Sequence, residues 1–361
     1  MKKQLSFLLV AALILSLVLA GCGGNKPAET PAEKDMVVGF IYVGPIGDGG
    51  YTYAHNEGRL YLEEQLGVKT LYKENVAEED QEVMNAVADM IDQGATVVFA
   101  TSFGHMDGLE KASQEYPEVA FMHCSGYKMT ENMGNYFGRM YQARYLSGIV
   151  AGLKTETNNI GYVGAYEIPE VVRGLNAFTL GVKSVNPDAV VNFKTTQTWY
   201  DPATEKEAAK ALLDAGADVI AQHQDTAGPQ QAAEEAGAFS IGYNTDMKAA
   251  APGAYMTAPI WNWGPYYVAQ VQAVIDGTWK AESYWGGMVD EIVTLAPLTE
   301  LAPTEAAELI EAAKAKFISG ETDVFVGPIN DNEGNLKIAE GQKLTDEEML
   351  SMDWYVEGVK K

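Results

Sequence analysis

From Met36 onward, short apolar runs alternate with longer stretches whose apolar positions recur at helical spacing. That alternation predicts parallel strands joined by crossover helices, an α/β chain. Met36–Val43 predicts a buried strand and residues 51–66 a helix. Further strands are expected at 68–74, 96–100 and 119–124, with a short one at 135–137. Helices fall at 79–93, where Val83, Val87, Met90 and Ile91 share a face, and at 106–115. A helix over 141–154 carries small residues suited to close packing. The pattern then restarts, with strands at 159–164, 189–195, 218–222 and 239–242 and helices at 169–185, 203–215 and 228–236. Beyond these come a strand at 255–260, a helix at 265–276, a strand at 292–295 and a helix at 303–318. The run Asn330-Asp331-Asn332-Glu333-Gly334 predicts a hairpin.

Two phrases repeat: "IDQGATVVFATSFG" at 91–104 and "LDAGADVIAQHQD" at 213–225. Each reads helix end, glycine turn, strand and polar loop, so the chain has two similar α/β halves. In doubly wound sheets ligands bind beyond the carboxyl ends of the strands. The polar and aromatic residues collect there: Asp48, Gly49 and Tyr51; Ser102 and Phe103; His123; Gln224 and Asp225; Asn244 and Asp246. Because they come from both halves, a cleft between the halves is expected.

The amino end has a different character. Lys2 and Lys3 precede an apolar run from Leu5 to Leu19, the layout of an export signal over residues 1–21. It ends Leu19-Ala20-Gly21-Cys22, similar to the lipobox of bacterial lipoproteins, in which Cys22 would carry lipid and become the mature amino terminus. Residues 22–35 have no apolar period and read as a flexible tether. The folded part is then expected to work outside the cytoplasm, held to the membrane by its lipid. Only Cys22 and Cys124 are present, so with Cys22 acylated stability rests on a packed core. About 325 residues remain for it, enough for two domains.

Charge narrows the partners. With 25 basic and 50 acidic residues the net charge is −25, which disfavours nucleic acid and anionic lipid. Catalytic patterns are missing too. The four histidines show no H-E-x-x-H or Cys/His metal spacing, and there is no G-x-S-x-G elbow. No cofactor or metal is implied.

The turn "YVGPIGDGGYTYAHNEG" at 42–58 satisfies neither nucleotide signature: it lacks a P-loop lysine, and Gly47, Gly49 and Gly50 break the G-x-G-x-x-G spacing. Asp48 would repel a phosphate at a helix start. A neutral ligand with hydrogen-bond donors fits better, with Tyr51 or Tyr53 offering a ring face; a tight turn with Asp48 as helix cap is the plainer alternative. Trp199, Trp261 and Trp263 lie in strand-end loops beside Asp and Asn, a set that suits a flat heterocycle, although buried structural tryptophans would look the same.

The lipobox, the 42–58 turn, "TSFGHMD", "YEIPEVVRGLNAF", "TWYDPATEKEAAKALLDAGADVIAQHQD", "IGYNTDM" and "DWYVEGV" together resemble the basic membrane protein (Bmp) family, lipoprotein substrate-binding components of ABC importers. The resemblance runs from about Met36 to the C-terminus. It implies a type I periplasmic-binding-protein fold, two doubly wound parallel-sheet lobes joined by three crossovers near 153–158, 246–256 and 285–290. Lobe 1 would comprise 36–153 with 256–286, and lobe 2 154–255 with 287–361. It further implies a monomeric receptor that delivers a purine base, adenine or a relative, or a purine nucleoside to a permease. Tyr51 and Trp199 would sandwich the purine. Asp48 matches the first-loop acid, and Asp246 the last acid of a pattern that holds sugar hydroxyls, whose middle acid is Asn244 here. Trp261 stands where the family commonly has lysine, which favours a bare base over a nucleoside. A tethered sensor, a receptor for another flat heterocycle or a sugar, or an enzyme acting on nucleosides would share many of these residues. The missing base and nucleophile argue against the enzyme.

Overall fold

The computed structural model describes residues 36–361; the export signal and Cys22 lie outside the described residues. Two parallel six-stranded sheets dominate. The first contains β1 (Val37–Ile41), β2 (Lys69–Lys73), β3 (Ala95–Ala100), β4 (Ala120–Cys124), β5 (Met133–Gly138) and, much later in the chain, β12 (Ser283–Gly286), in the order β12-β5-β4-β3-β1-β2. The second contains β6 (Asn159–Gly164), β7 (Val190–Thr195), β8 (Val219–His223), β9 (Phe239–Ile241), β10 (Tyr255–Thr257) and β16 (Val359–Lys360), in the order β10-β9-β8-β6-β7-β16. The two halves expected from the repeated phrases are therefore two doubly wound sheets.

Crossover helices follow the apolar periodicity. In the first half they are α1 (Tyr51–Leu66), α2 (Asp80–Asp92) and α3 (Met106–Glu115). Val83, Val87 and Met90 are the buried face of α2, and Met90 lies so close to Gly39 of β1 that a methyl group there would collide with its sulfur. The second half has α5 (Pro169–Val185), α6 (Pro202–Asp214) and α7 (Gly228–Glu235), each with proline at its first turn, where the missing N–H costs nothing.

The helix α4 (Met140–Lys154), expected with the first half, packs lengthwise against α5 of the second. Glycine makes this approach possible: a Cβ on Gly148 would stand 2.1 Å from the Phe178 carbonyl oxygen, and one on Gly181 2.0 Å from that of Tyr145. The chain leaves the first sheet at Gly138 and meets the second half already at α4.

The single strand expected at 255–260 is two. β10 closes the second sheet, whereas β11 (Pro259–Trp261) pairs antiparallel with β13 (Val293–Leu295) in a separate ribbon. Proline cannot donate a ladder hydrogen bond, and the run breaks just before Pro259. After β11, α8 (Gly264–Ile275) returns to pack on α1, where Gly58 lies against Trp263 and Tyr267. The carboxyl-terminal region supplies α9 (Ala306–Ser319), the expected hairpin of β14 (Ile329–Asn330) and β15 (Leu336–Ile338), and α10 (Asp346–Leu350) against α5. β12 and β16 have no counterpart in the sequence pattern: both are short edge strands whose register is set by the neighbouring strand. Among the described residues, no helix is long and apolar enough to cross a membrane.

Candidate ligand-binding cleft

Between the two sheets lies a cavity with an empty volume of about 350 Å³, lined by Val43, Tyr51, Ser102, Phe103, Ser125, Glu170, Trp199, His223, Asp225 and Tyr243. Every one of these follows or ends a strand at its carboxyl edge, β1, β3 and β4 on one side and β6, β7, β8 and β9 on the other. Five of the residues singled out on the sequence meet here: Tyr51, Ser102, Phe103, Trp199 and Asp225.

Tyr51 opens α1 and is held at both ends. Its hydroxyl donates to the Thr101 carbonyl at 2.6 Å and lies 3.3 Å from Cys124 Sγ. Its ring meets His55 edge-on at 4.5 Å, and His55 is stacked on Trp263, itself stacked on Trp261. The ring face is thus preorganised from behind by a column of aromatic groups. Across the cavity Trp199 rests edge-on against Tyr166 at 5.3 Å, and its carbonyl accepts from the Asp225 amide. Asp201 caps the following helix through Ala203 and Thr204, which fixes the loop carrying Trp199.

The polar groups sit between these aromatic walls. Asp225 is buried and accepts from Asn244 Nδ2 at 3.2 Å. Burial pushes its carboxyl well above the usual range, and the charges of Asp48 and Glu205 push the same way. Glu170, in the first turn of α5, accepts from His223 Nε2 at 3.3 Å. Burial, seconded by the Arg144 charge, lowers His223 to about 4, so its imidazole is neutral at pH 7. Ser102 donates to Glu78, which also accepts from the Gly104 amide. The cavity wall therefore presents two carboxyl groups, a neutral imidazole and a hydroxyl.

The remaining candidates do not line the cavity. Asp48 spends its carboxylate on α1: Oδ1 accepts from Gly50 and Tyr53 and Oδ2 from Thr52, all within 2.9 Å. The plainer reading of the turn describes it. Gly49 takes the left-handed conformation, φ +71°, and its carbonyl accepts from the Thr245 hydroxyl. Gln224 turns away to donate to Thr196. Asn244, also left-handed at φ +69°, bridges Asp225 to the Trp261 indole, whose Nε1 donates to Asn244 Oδ1 at 3.0 Å. Trp261 therefore supports the site from behind. Asp246 is exposed and accepts from the Lys248 amide. Val43, Ser125, Glu170, His223 and Tyr243 make up the rest of the lining. Glu170, His223 and Tyr243 lie in the quoted runs "YEIPEVVRGLNAF", "TWYDPATEKEAAKALLDAGADVIAQHQD" and "IGYNTDM", but nothing in acidic or aromatic spacing separates them from surface neighbours.

The two halves touch at this mouth. Thr245 of the second joins Gly49 of the first, and a Cβ on Gly50 would stand 2.1 Å from the Asp225 carbonyl oxygen. The cleft is closed.

The family model for Bmp, described as ABC transporter substrate-binding protein PnrA-like, matches residues 36–324. A purine-binding protein from Brucella abortus is 41% identical over 91% of this chain and 94% of its own length. A relative from Haloferax volcanii, provisionally named an ABC transporter glucose-binding protein, is 38% identical over 84% of this chain and 78% of its own. Among solved structures, an ABC transporter solute-binding protein from Aeropyrum pernix superposes with a TM-score of 0.72 at 20% identity, covering 81% of this chain and 94% of that one, a likeness of fold.

Proposed function

Because the chain belongs to the Bmp family of PnrA-like ABC transporter substrate-binding proteins, we propose that it is a lipid-anchored receptor that closes on a purine base and hands it to its permease. ABC substrate-binding proteins work outside the cytoplasm, and lipid on Cys22 would keep this one at the membrane face. The observation that carries the purine reading is that Tyr51 and Trp199, from opposite halves, line one cavity together with Glu170 and Asp225. A purine presents two flat faces to aromatic rings and ring N–H or amino donors to carboxylates. The indole of Trp261 stands where a sugar-binding cation would otherwise be expected. The identity to the Brucella purine-binding protein supports the same ligand class.

In this reading lobe 1 is built on the first sheet with α8, and lobe 2 on the second sheet with α4 and the carboxyl-terminal region. The connections near Arg139, Ala258 and Gly287 are the hinges. Bending at a few such residues opens the cleft, and ligand favours the closed form by the contacts it makes only there. The monomeric receptor would show the permease a different surface in each form.

The test is calorimetry on protein refolded from denaturant to strip bound ligand. Adenine, hypoxanthine and guanine are compared with adenosine, inosine and glucose. Tight binding of a base, with weaker or no heat from nucleosides, is the expected result. Heat from glucose alone would transfer the site to the sugar class suggested by the Haloferax relative, and no heat from any purine would end the purine reading.

A further inference from the structure

Behind the ligand cavity lies a second, smaller one of about 220 Å³, lined by Phe137, Met140, Tyr141, Arg144, Glu170, Arg173, Gly174, His223 and Tyr243. Glu170, His223 and Tyr243 are walls of both cavities. Its two arginines are out of solvent: Arg144 is 0% exposed and Arg173 4%. Arg144 gives one hydrogen bond, from Nη1 to the Gln222 carbonyl at 2.6 Å, and its guanidinium lies 3.6 Å from the Tyr243 ring centre. Among the described residues its Nε and Nη2 have no partner, nor does the buried Tyr162 hydroxyl, which would lie 3.6 Å from a Cβ on Gly174. Arg173 donates to the Met349 carbonyl and lies over Trp285.

An unpaired buried guanidinium is among the costliest groups a fold can hold. Among the described residues neither arginine has a carboxylate within 4.0 Å, and the one carboxylate in the lining, Glu170, is turned to His223. The lining thus carries two cations against one anion.

We propose that this compartment binds one small monovalent anion, of the halide class, between Arg144 and Arg173. A halide accepts only, so it can satisfy the idle N–H groups of Arg144 and balance the charge. Fixing Arg144 in this way also fixes the Tyr243 ring lying on it, which forms part of the ligand cavity's wall. The anion is therefore coupled to whatever ligand the receptor takes, and the inference does not depend on that ligand being a purine.

Chloride is titrated against gluconate, too bulky for the compartment, at constant ionic strength while thermal unfolding is followed; crystals soaked in bromide are examined for anomalous scattering. Expected are a saturable rise of roughly 2–4 °C in Tm between 1 and 100 mM chloride and an anomalous peak between the two guanidinium groups. Arg144→Met should abolish the chloride dependence while a surface substitution, Lys210→Gln, preserves it. If Arg144→Met does not fold, the two wild-type measurements decide. Absence of the peak, with water in the cavity, overturns the proposal, and so does a wild-type Tm indifferent to chloride.

Discussion

Gly50 and Asp225 are locked together across the cleft: a Cβ built on Gly50 falls 2.1 Å from the Asp225 carbonyl oxygen and 3.0 Å from Met247 Cε. Real carbon and oxygen atoms do not approach so closely, and a backbone oxygen cannot swing aside. Gly50→Ala should therefore leave each lobe folded yet hold the mouth ajar. We expect ligand affinity to fall at least tenfold, about 1.4 kcal/mol, with small-angle scattering of the liganded variant resembling the open form. Wild-type affinity in the variant would mean that the loop relaxes around the methyl group.

The aromatic walls should separate by position. Trp199→Ala removes one ring face and is expected to cost about 1–3 kcal/mol of binding, the range for base–aromatic stacks. Tyr51→Phe keeps the ring but gives up the hydroxyl's bond to the Thr101 carbonyl, so it should cost less affinity than Tyr51→Ala. Calorimetry on the three variants orders them, and equal losses for Tyr51→Phe and Tyr51→Ala would show that the hydroxyl and not the ring face matters.

The sequence carried the sheets well because their signal is local. Apolar runs bounded by polar turns define β1, β3, β6 and β8, and α1 is legible to the residue from its glycine-rich start and Gly67 stop. The position of α4 was not legible, since Gly148 and Gly152 announce close packing without naming the partner. At the site, Tyr51, Phe103 and Trp199 stood out as large aromatics in strand-end loops. Glu170 and His223 did not, because their role depends on a helix start and a strand end 53 residues apart meeting at 3.3 Å. Asp48 and Trp261 show the opposite failure: residue type and position suit a ligand, but the backbone amides of α1 and the side chain of Asn244 claim them first.

That distinction can be measured at Asp48. As the cap of α1 it should contribute to stability, and Asp48→Ala is expected to cost about 0.5–2 kcal/mol in urea unfolding. Any effect on ligand affinity should be small beside that of Trp199→Ala. A variant of wild-type stability that cannot bind would instead make Asp48 a ligand contact.

Trp261→Phe tests the support from behind. The substitution keeps the ring stacked on Trp263 but leaves Asn244 Oδ1 without its donor in a buried place. Stability should fall by about 1–3 kcal/mol, while binding heat at saturating ligand persists. Loss of binding with unchanged stability would return Trp261 to the ligand's own contacts.

His223 makes the pH dependence specific. In the native protein it is held at about 4 by burial and by the Arg144 charge, whereas in the unfolded chain an imidazole takes its proton near 6.5. Between those values the unfolded state binds the extra proton, so the stabilisation His223 brings is complete above about pH 6.5 and drains away as pH falls toward 4. Buried carboxyls such as Asp225, raised by burial, titrate in the opposite sense, so the whole-protein curve cannot isolate the histidine. The difference between wild type and His223→Gln can: wild type should lose ground against the variant by at most about 1.4 kcal/mol per pH unit on descending from 6.5. Urea unfolding of both proteins at pH 7.0, 6.0, 5.0 and 4.5 reads it directly. A gap that stays constant over that range would mean that the native imidazole is already charged and paired with Glu170, and the neutral acceptor-and-donor edge described for the cleft would have to be redrawn as an ion pair.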